Sequence, residues 1–242
     1  MIRFVFITPV YNCEKEIEQT IISVVGQTYK NWKMVIVNDL STDSTLEKCK
    51  EIIKKFEIED KVEIVDREEK FGEVRNTLTE VKRLNSDDVV VRLDGADWLT
   101  DLGCLTILNE IYEKHDPAAL WTAHRWNFST TNISGPIDPN ISLYHQEWRT
   151  SHLKTFRVKD FVGLNHKNFT TDDGQYIMIA CDQAIFLPLI ERARRTGRPL
   201  VFLPKEMYHY DIDIEREDLF FNDRSYDQKY SAEWIRSRGY IE

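Results

Sequence analysis

Two aspartates, Asp94 and Asp97, follow an apolar run in the stretch RLDGADWL. Carboxylate oxygens are the ligands that magnesium and manganese prefer, so this pair is a candidate for holding a divalent cation. Ala96 stands between the two aspartates, and two carboxylates do not complete a coordination shell on their own. The alternative is that both residues only cap the helix that follows. The choice depends on which other ligands the fold brings to this stretch.

A third aspartate, Asp182, stands at the entrance to CDQAIFLPLIERARR, an apolar stretch with helical spacing. A carboxylate in the first turn of a helix is stabilised in its charged form, so Asp182 is a candidate general base of ordinary pKa. Aspartate is also a common N-cap residue, and a purely structural role is the alternative.

The segment WRTSHLKTFRVKD is basic within an acidic chain, which indicates a phosphate-bearing ligand or acceptor. A solvated surface is the alternative interpretation. The candidate acceptor or phosphate ligands in this segment are Arg149, His152, Lys154 and Arg157. His209, in MYHYD, is a further candidate metal or phosphate ligand, although a lone histidine between tyrosines is more often structural.

The elements that would position these residues alternate regularly in the first half of the chain. Apolar runs typical of strands are RFVFITPVY, WKMVIVND, KVEIVD and DVVVRLD. Runs with helical spacing follow them, in the order EKEIEQTIISVVGQ, STLEKCKEIIKKF, FGEVRNTLTEVKRL and LGCLTILNEIYEKH. This alternation predicts βαβ units and an α/β fold with a mostly parallel central sheet flanked by helices. After about residue 124 the pattern loosens, then resumes with the helix at Asp182, a strand in PLVFLP and an acidic, aromatic tail.

Ligands bind at the carboxyl ends of the strands in sheets of this kind. Those ends read TPVYN, NDLSTD, DREEKFG and DGADWL, and all but the first contain aspartate. We therefore expect the binding site along this edge of the sheet.

Five stretches resemble the family 2 glycosyltransferases of GT-A fold, in that order and at about the usual spacings. They are ITPVYN, TIISVVGQTYKNWKMVIVNDLSTDST, GEVRN, RLDGADWL and CDQAIFLPLIE. The resemblance implies a Rossmann-like GT-A sheet with an acceptor-side C-terminal segment. It also implies an inverting transfer of a hexosyl or pentosyl group from a nucleotide diphosphate donor, usually a UDP-sugar, with Mn²⁺ or Mg²⁺ on the diphosphate. Residues 1–124 would form the nucleotide-sugar-binding half, and residues 125–242 the acceptor-binding and catalytic half of the same domain.

A uridine pocket is the first feature that the resemblance implies. Pro9, Tyr11 and Asn12 offer a rigid turn, an aromatic face and an amide to a base, and an ordinary strand-end turn is the alternative. Asp39 resembles the family's aspartate that reads the uracil ring. Leu40 stands where the family usually has glycine, which leaves this turn open to reshaping.

Further donor and catalytic residues follow from the same resemblance. Gly72, Arg75 and Asn76 match the third donor segment, where the arginine lies near the base, and a solvated helix face is the alternative. Asp94 matches the aspartate near the ribose. Asp182 matches the catalytic aspartate that deprotonates the acceptor.

The metal site departs from the family pattern, because Ala96 occupies a position that often supplies a metal ligand. A cation on a diphosphate takes several ligands from the nucleotide and from water, so the site is weakened rather than excluded. Three explanations stay open: Asp97 replaces the missing ligand, the enzyme works without metal, or Ala96 is an engineered replacement.

Composition limits the partners. A net charge of -9 repels polyanions and argues against nucleic-acid coats and anionic membranes. A glycosyltransferase acting on a hydroxymethylated base of viral DNA is still an alternative, as is a catalytically silent nucleotide-sugar-binding module. The four cysteines lie far apart without metal-ligand spacing, and no apolar run approaches the roughly 20 residues that span a bilayer. We expect a protein of the cytoplasm, in a bacterial or a virus-infected cell, without membrane insertion.

Overall fold

The computed structural model of the protein describes residues 1–127, 129, 131–211 and 223–242. Within those ranges the strands are β1 (Phe4–Val10), β2 (Trp32–Asn38), β3 (Val62–Asp66), β4 (Val89–Arg92), β5 (Trp98–Leu99), β6 (Ala119–Trp126), β7 (Lys154–Arg157) and β8 (Leu200–Tyr210). The helices are α1 (Ile17–Val25), α2 (Thr45–Lys55), α3 (Gly72–Val81), α4 (Cys104–His115), α5 (Val158–Phe161), α6 (Cys181–Arg195) and α7 (Asp223–Arg238). Part of the acidic tail, residues 212–222, lies outside the described residues.

The described strands form one mixed sheet in the order β3-β2-β1-β4-β7-β6-β8-β5. The first four strands of that order are parallel to one another. β7 runs antiparallel to both β4 and β6, while β6 and β8 are parallel. The four predicted βα units and the predicted strand in PLVFLP are therefore confirmed. β6, β7 and the short β5 were not predicted from the sequence, and the antiparallel pairs of β7 and β5 make the sheet mixed.

Helices cover both faces of the sheet, because successive residues of each central strand point to opposite sides. Phe4 and Phe6 of β1 pack with the apolar sides of α1, α2 and α4. Ile7 points the other way and packs in the cluster that contains α3, α5 and α6. The β1 run is apolar at almost every position because both of its faces are buried, as expected for the centre of a parallel sheet.

The predicted division at residues 124 and 125 falls inside β6, so the two predicted halves share one sheet. The division stays a prediction about function. Among the described residues, no helix has both the length and the apolar character needed to cross a bilayer.

Candidate active site

The candidate site lies where the carboxyl ends of β1, β2 and β4 meet the first turns of α3 and α6. Asp39 follows β2 and is buried there. Its carboxylate accepts hydrogen bonds from the backbone N–H groups of Phe71 (2.8 Å) and Gly72 (3.0 Å). These two hydrogen bonds hold the N-terminus of α3 against the end of β2.

Gly72 can make this turn because it has no side chain. Its φ is +72°, and an added Cβ would lie 2.5 Å from the sulfur of Met178. Leu40 has a φ of +65°, the left-handed conformation that favours glycine. The turn after β2 therefore keeps a glycine-type backbone although leucine occupies the position.

The predicted base-binding residues of β1 lie at this edge. The ring of Tyr11 is half exposed, and the Lys70 ammonium lies 3.1 Å from its centroid. The carbonyl of Pro9 accepts a hydrogen bond from Gly95, which joins β1 to the loop after β4. The Asn12 side chain accepts from the N–H of Thr42 at 2.7 Å, so it holds two loops together.

The predicted third donor segment is only partly directed at the cleft. Arg75 pairs with Glu69 at 3.0 Å and lies 3.5 Å from the centroid of the Phe71 ring. Asn76 is buried, and its Oδ1 accepts from Arg67. Its Nδ2 is fully buried and has no partner among the described residues.

Arg92 and Glu73 form a charged pair that sequence analysis missed. Arg92 is buried at the end of β4, where it donates to Glu73 (2.5 Å) in the first turn of α3 and to Thr77 (2.8 Å). The Asp94 carboxylate lies 3.6 Å from the same guanidinium, and its side chain is 36% exposed. A charged residue inside the apolar run DVVVRLD was the available signal, since a buried arginine needs an acidic partner.

Asp97, in the loop after β4, is buried. One oxygen accepts from the Tyr208 hydroxyl at 2.6 Å, and the other accepts from the N–H of Asp211 at 2.8 Å. Burial, reinforced by the charge of Asp94, raises the pKa of Asp97 well above its ordinary value. Tyr208, which the sequence analysis also missed, connects the two aspartates because its hydroxyl accepts from the N–H of Asp94 at 3.3 Å.

His209 is fixed by contacts on both ring nitrogens. Its ring stacks on Trp98 with 4.1 Å between centroids. Arg125 donates to Nδ1 at 3.2 Å, and Nε2 lies 2.9 Å from the side-chain oxygen of Asn127. His209 therefore has a structural environment in which neither nitrogen faces a free ligand position.

These contacts bear on the predicted Mn²⁺ or Mg²⁺ site. The described part of the chain contains no group of three or more His, Cys, Asp or Glu side chains that could hold a metal ion. Asp97 and His209 are engaged with protein groups, while Ala96 packs partly buried against the core. Of the candidate ligands Asp94, Asp97 and His209, only Asp94 has a side chain with no described hydrogen-bond partner. The described residues do not fit a metal centre built by the protein alone.

Asp182 is the second residue of α6 and pairs with Lys154, the first residue of β7. The lysine side chain is 1% exposed and the aspartate side chain 35% exposed. Burial alone would raise the pKa of Asp182, but the Lys154 ammonium outweighs it, and the pKa lies below its usual range. The predicted base is therefore anionic, as expected, but its pKa is lower than the ordinary value we expected.

His152 lies on the other side of Asp182, with 3.6 Å between its Nε2 and the carboxylate. Its ring stacks on Tyr208 at 4.6 Å. Burial, together with the charge of Lys154, lowers the pKa of His152 well below its usual value. The histidine is thus neutral and adds no charge to the site.

The structure does not bring the predicted basic segment together as one phosphate-binding cluster. Arg157 pairs with Asp116 at 2.8 Å, and its β7 position is opposite Val89, at the start of β4 and far from Asp94. Arg149 is exposed and pairs with Glu147. Because β7 is extended, only its first residue, Lys154, reaches the cleft with His152.

Comparison with known proteins assigns the chain to a family. The model of glycosyl transferase family 2 matches residues 5–172. Glycosyltransferase GlyA of Streptococcus pneumoniae is 25% identical over 222 residues, covering 87% of this chain and 30% of that protein. The putative teichuronic acid biosynthesis glycosyltransferase TuaG of Bacillus subtilis is 38% identical over 91 residues, which is 34% of each chain. The chain thus spans about a third of the length of these relatives.

Solved structures share the fold at low identity. S. aureus TarS 1-349 in complex with UDP-GlcNAc has a TM-score of 0.66 and 18% identity, covering 97% of this chain and 65% of the TarS chain. Mannosyltransferase PcManGT from Pyrobaculum calidifontis, in complex with GDP-Man and Mn²⁺, has a TM-score of 0.60 and 13% identity, covering 96% and 69%. These matches confirm the predicted GT-A fold. Because the family model covers more than half of the chain, the chain belongs to glycosyl transferase family 2.

Proposed function

We propose that this protein transfers a sugar from a UDP-sugar to a hydroxyl group of an acceptor, with inversion at the anomeric carbon. The observation that carries the proposal is Asp182, an anionic, partly exposed carboxylate at the cleft formed by the donor-binding strands. A group held anionic can accept a proton, and its partial exposure leaves room for an acceptor hydroxyl.

Asp182 acts as the general base in this proposal. The acceptor O–H bond breaks as its proton passes to Asp182, and the acceptor oxygen forms a bond to the anomeric carbon. The bond between that carbon and the diphosphate breaks, and its electron pair leaves with the UDP. One displacement at one face of the sugar inverts the configuration. Lys154 keeps the base ionised but lowers its basicity, so the acceptor must compete with the ammonium for the carboxylate.

Two features at the β1 and β2 end of the cleft favour a nucleotide as the ligand. Asp39 holds the turn at Gly72, and Tyr11 presents a half-exposed ring beside Lys70. The TarS neighbour was solved with UDP-GlcNAc and the PcManGT neighbour with GDP-Man, so uridine is the first base to test and guanosine the second. The Asp94 side chain is 36% exposed and lies 3.6 Å from the Arg92 guanidinium. A divalent cation on the diphosphate remains a separate hypothesis, and no step above depends on it.

The test is release of free nucleotide from a panel of UDP- and GDP-sugars, with and without manganese, in the presence of candidate hydroxyl acceptors. We expect turnover with at least one UDP-sugar, and loss of UDP affinity in Asp39→Asn measured by calorimetry. Nucleotide-sugar binding without release under every condition would instead support the silent binding module. Transfer only to duplex DNA carrying hydroxymethylated bases would support the viral DNA alternative. Absence of any nucleotide binding by the wild-type protein would overturn the proposal.

A further inference from the structure

Two helices bring matching acidic residues to the cleft. Glu73 is the second residue of α3, and Asp182 is the second residue of α6. Each carboxylate pairs with a cation at the end of a neighbouring strand, Glu73 with Arg92 and Asp182 with Lys154. Glu73 therefore occupies a position equivalent to that of the proposed base, and nothing assigned above gives it a role.

The Glu73 carboxylate has unused capacity to accept hydrogen bonds. Oε1 accepts from Arg92 at 2.5 Å, whereas no described residue donates to Oε2. The side chain is 27% exposed, and Oε2 is the carboxylate oxygen that has no described donor. Arg92 is fixed in turn by Thr77, and this holds the carboxylate in one orientation without a ligand.

The place of Glu73 in the chain indicates which part of the donor it meets. Gly72, its neighbour, binds Asp39 at the nucleotide end of the cleft. Its partner Arg92 is the cross-strand neighbour of Lys154, the partner of Asp182, so Glu73 and Asp182 lie over the same face of the sheet. A carboxylate repels phosphate oxygens but accepts hydrogen bonds from hydroxyl groups, so it suits the sugar rather than the diphosphate.

We propose that Glu73 binds a hydroxyl group of the transferred sugar through Oε2 and contributes to donor-sugar specificity, with Arg92 as its positioning residue. This inference rests on the proposed function, because it requires a nucleotide-sugar donor in the cleft.

The experiment compares UDP with UDP-sugars in wild type and Glu73→Gln, using UDP-glucose and UDP-N-acetylglucosamine as probes. Glutamine keeps the length of the side chain and an oxygen for Arg92, so the fold is retained. At about pH 8, where the Glu73 carboxylate is ionised, we expect the affinity for the preferred UDP-sugar to weaken and its KM to rise about 10- to 100-fold, the range of a lost hydrogen bond to a charged group. The affinity for UDP should stay within about threefold, a margin set by the context dependence of weak effects.

Glu63→Gln is the matched control, because it removes a carboxylate from an exposed ion pair with Arg83 outside the cleft. It should leave both affinities at wild-type values. A Glu73→Gln protein that binds UDP and UDP-sugar like wild type, or that loses both in equal proportion, would overturn the sugar contact while leaving the proposed function intact. A wild-type protein that binds no nucleotide probe would overturn both.

Discussion

Arg92 and Lys154 are direct cross-strand partners in the antiparallel pair of β4 and β7, so their side chains leave the sheet on the same face. Like charges at such positions normally repel each other. Here each cation is neutralised by an acid from a helix above the sheet, Arg92 by Glu73 and Lys154 by Asp182. Each ion pair lies within one predicted half of the chain, and the pairing of β4 with β7 sets the two ion pairs side by side.

The first prediction concerns Asp182. Asp182→Asn should lower kcat by about 10²- to 10⁴-fold, because the proton acceptor is lost. UDP affinity should not change. The structure adds an expected cost in stability, since Lys154 would lose its charged partner in a buried position. We expect the free energy of unfolding to fall by about 1–3 kcal/mol, measured by urea denaturation.

The double variant Lys154→Met/Asp182→Asn separates the two effects. Methionine suits the surroundings of Lys154, whose ammonium lies near the rings of Trp148 and Phe186. Stability should recover in the double variant because a buried ion pair is replaced by an apolar group, while turnover should stay low. A single Asp182→Asn variant with kcat within about threefold of wild type would remove Asp182 as the base.

The second prediction concerns Leu40, whose φ of +65° is unfavourable for a residue with a Cβ. Leu40→Gly should be more stable than Leu40→Ala by about 1 kcal/mol, because glycine relieves the left-handed strain that alanine retains. Both variants lose the same partly exposed side chain, so the comparison isolates the backbone term. Equal unfolding free energies in urea would show that the turn carries no strain.

Much of this arrangement was predictable from periodicity. The first four strands are apolar on both faces and alternate with helices, which predicts a parallel sheet and a site at its carboxyl edge. Asp39 and Asp94 were predicted in this way, together with their resemblance to a family, whereas Asp182 was predicted from its place at the entrance of an apolar helix and from the same resemblance. β7 was hidden because its four residues, KTFR, carry two cations that suggested a phosphate-binding surface. Lys154 is buried and Arg92 lies beside it only because β7 pairs with β4. This contact joins residues about 60 positions apart, so a local sequence pattern does not contain it.

The third prediction concerns Ala96, where a carboxylate would stand beside Asp94. Ala96→Asp should increase the affinity for Mn²⁺ of the UDP-bound protein, because cation affinity rises with the number of charged ligands. Ala96→Asn is the control, since it adds similar bulk without charge. The measurement is calorimetric titration of Mn²⁺ into each variant saturated with UDP. Identical Mn²⁺ affinities in the two variants would favour a mechanism that does not use a metal at this position.

The last prediction concerns the pH dependence of stability that Glu73 introduces. Burial raises the pKa of Glu73 from 4.5 to about 7. The charges of Asp94 and Asp182 also raise this pKa, whereas the charges of Arg92 and Lys154 lower it. The folded state therefore keeps a proton on Glu73 at pH values where the unfolded chain has released it. The contribution of Glu73 to stability should fall as the pH rises from about 4.5 to about 7, by at most about 3 kcal/mol.

Glu73→Gln has no proton to release at this position and should lose that part of the pH dependence. Its free energy of unfolding, relative to wild type, should increase between pH 5 and pH 7.5, because only the wild type loses the contribution of Glu73 over this interval. Urea denaturation of both proteins at four pH values measures the difference, and Glu63→Gln reports the effect of removing a carboxylate outside the cleft. A constant difference between Glu73→Gln and wild type across the interval would show that Glu73 ionises alike in the folded and unfolded chains. The carboxylate would then already be fully compensated by Arg92 in the absence of a ligand.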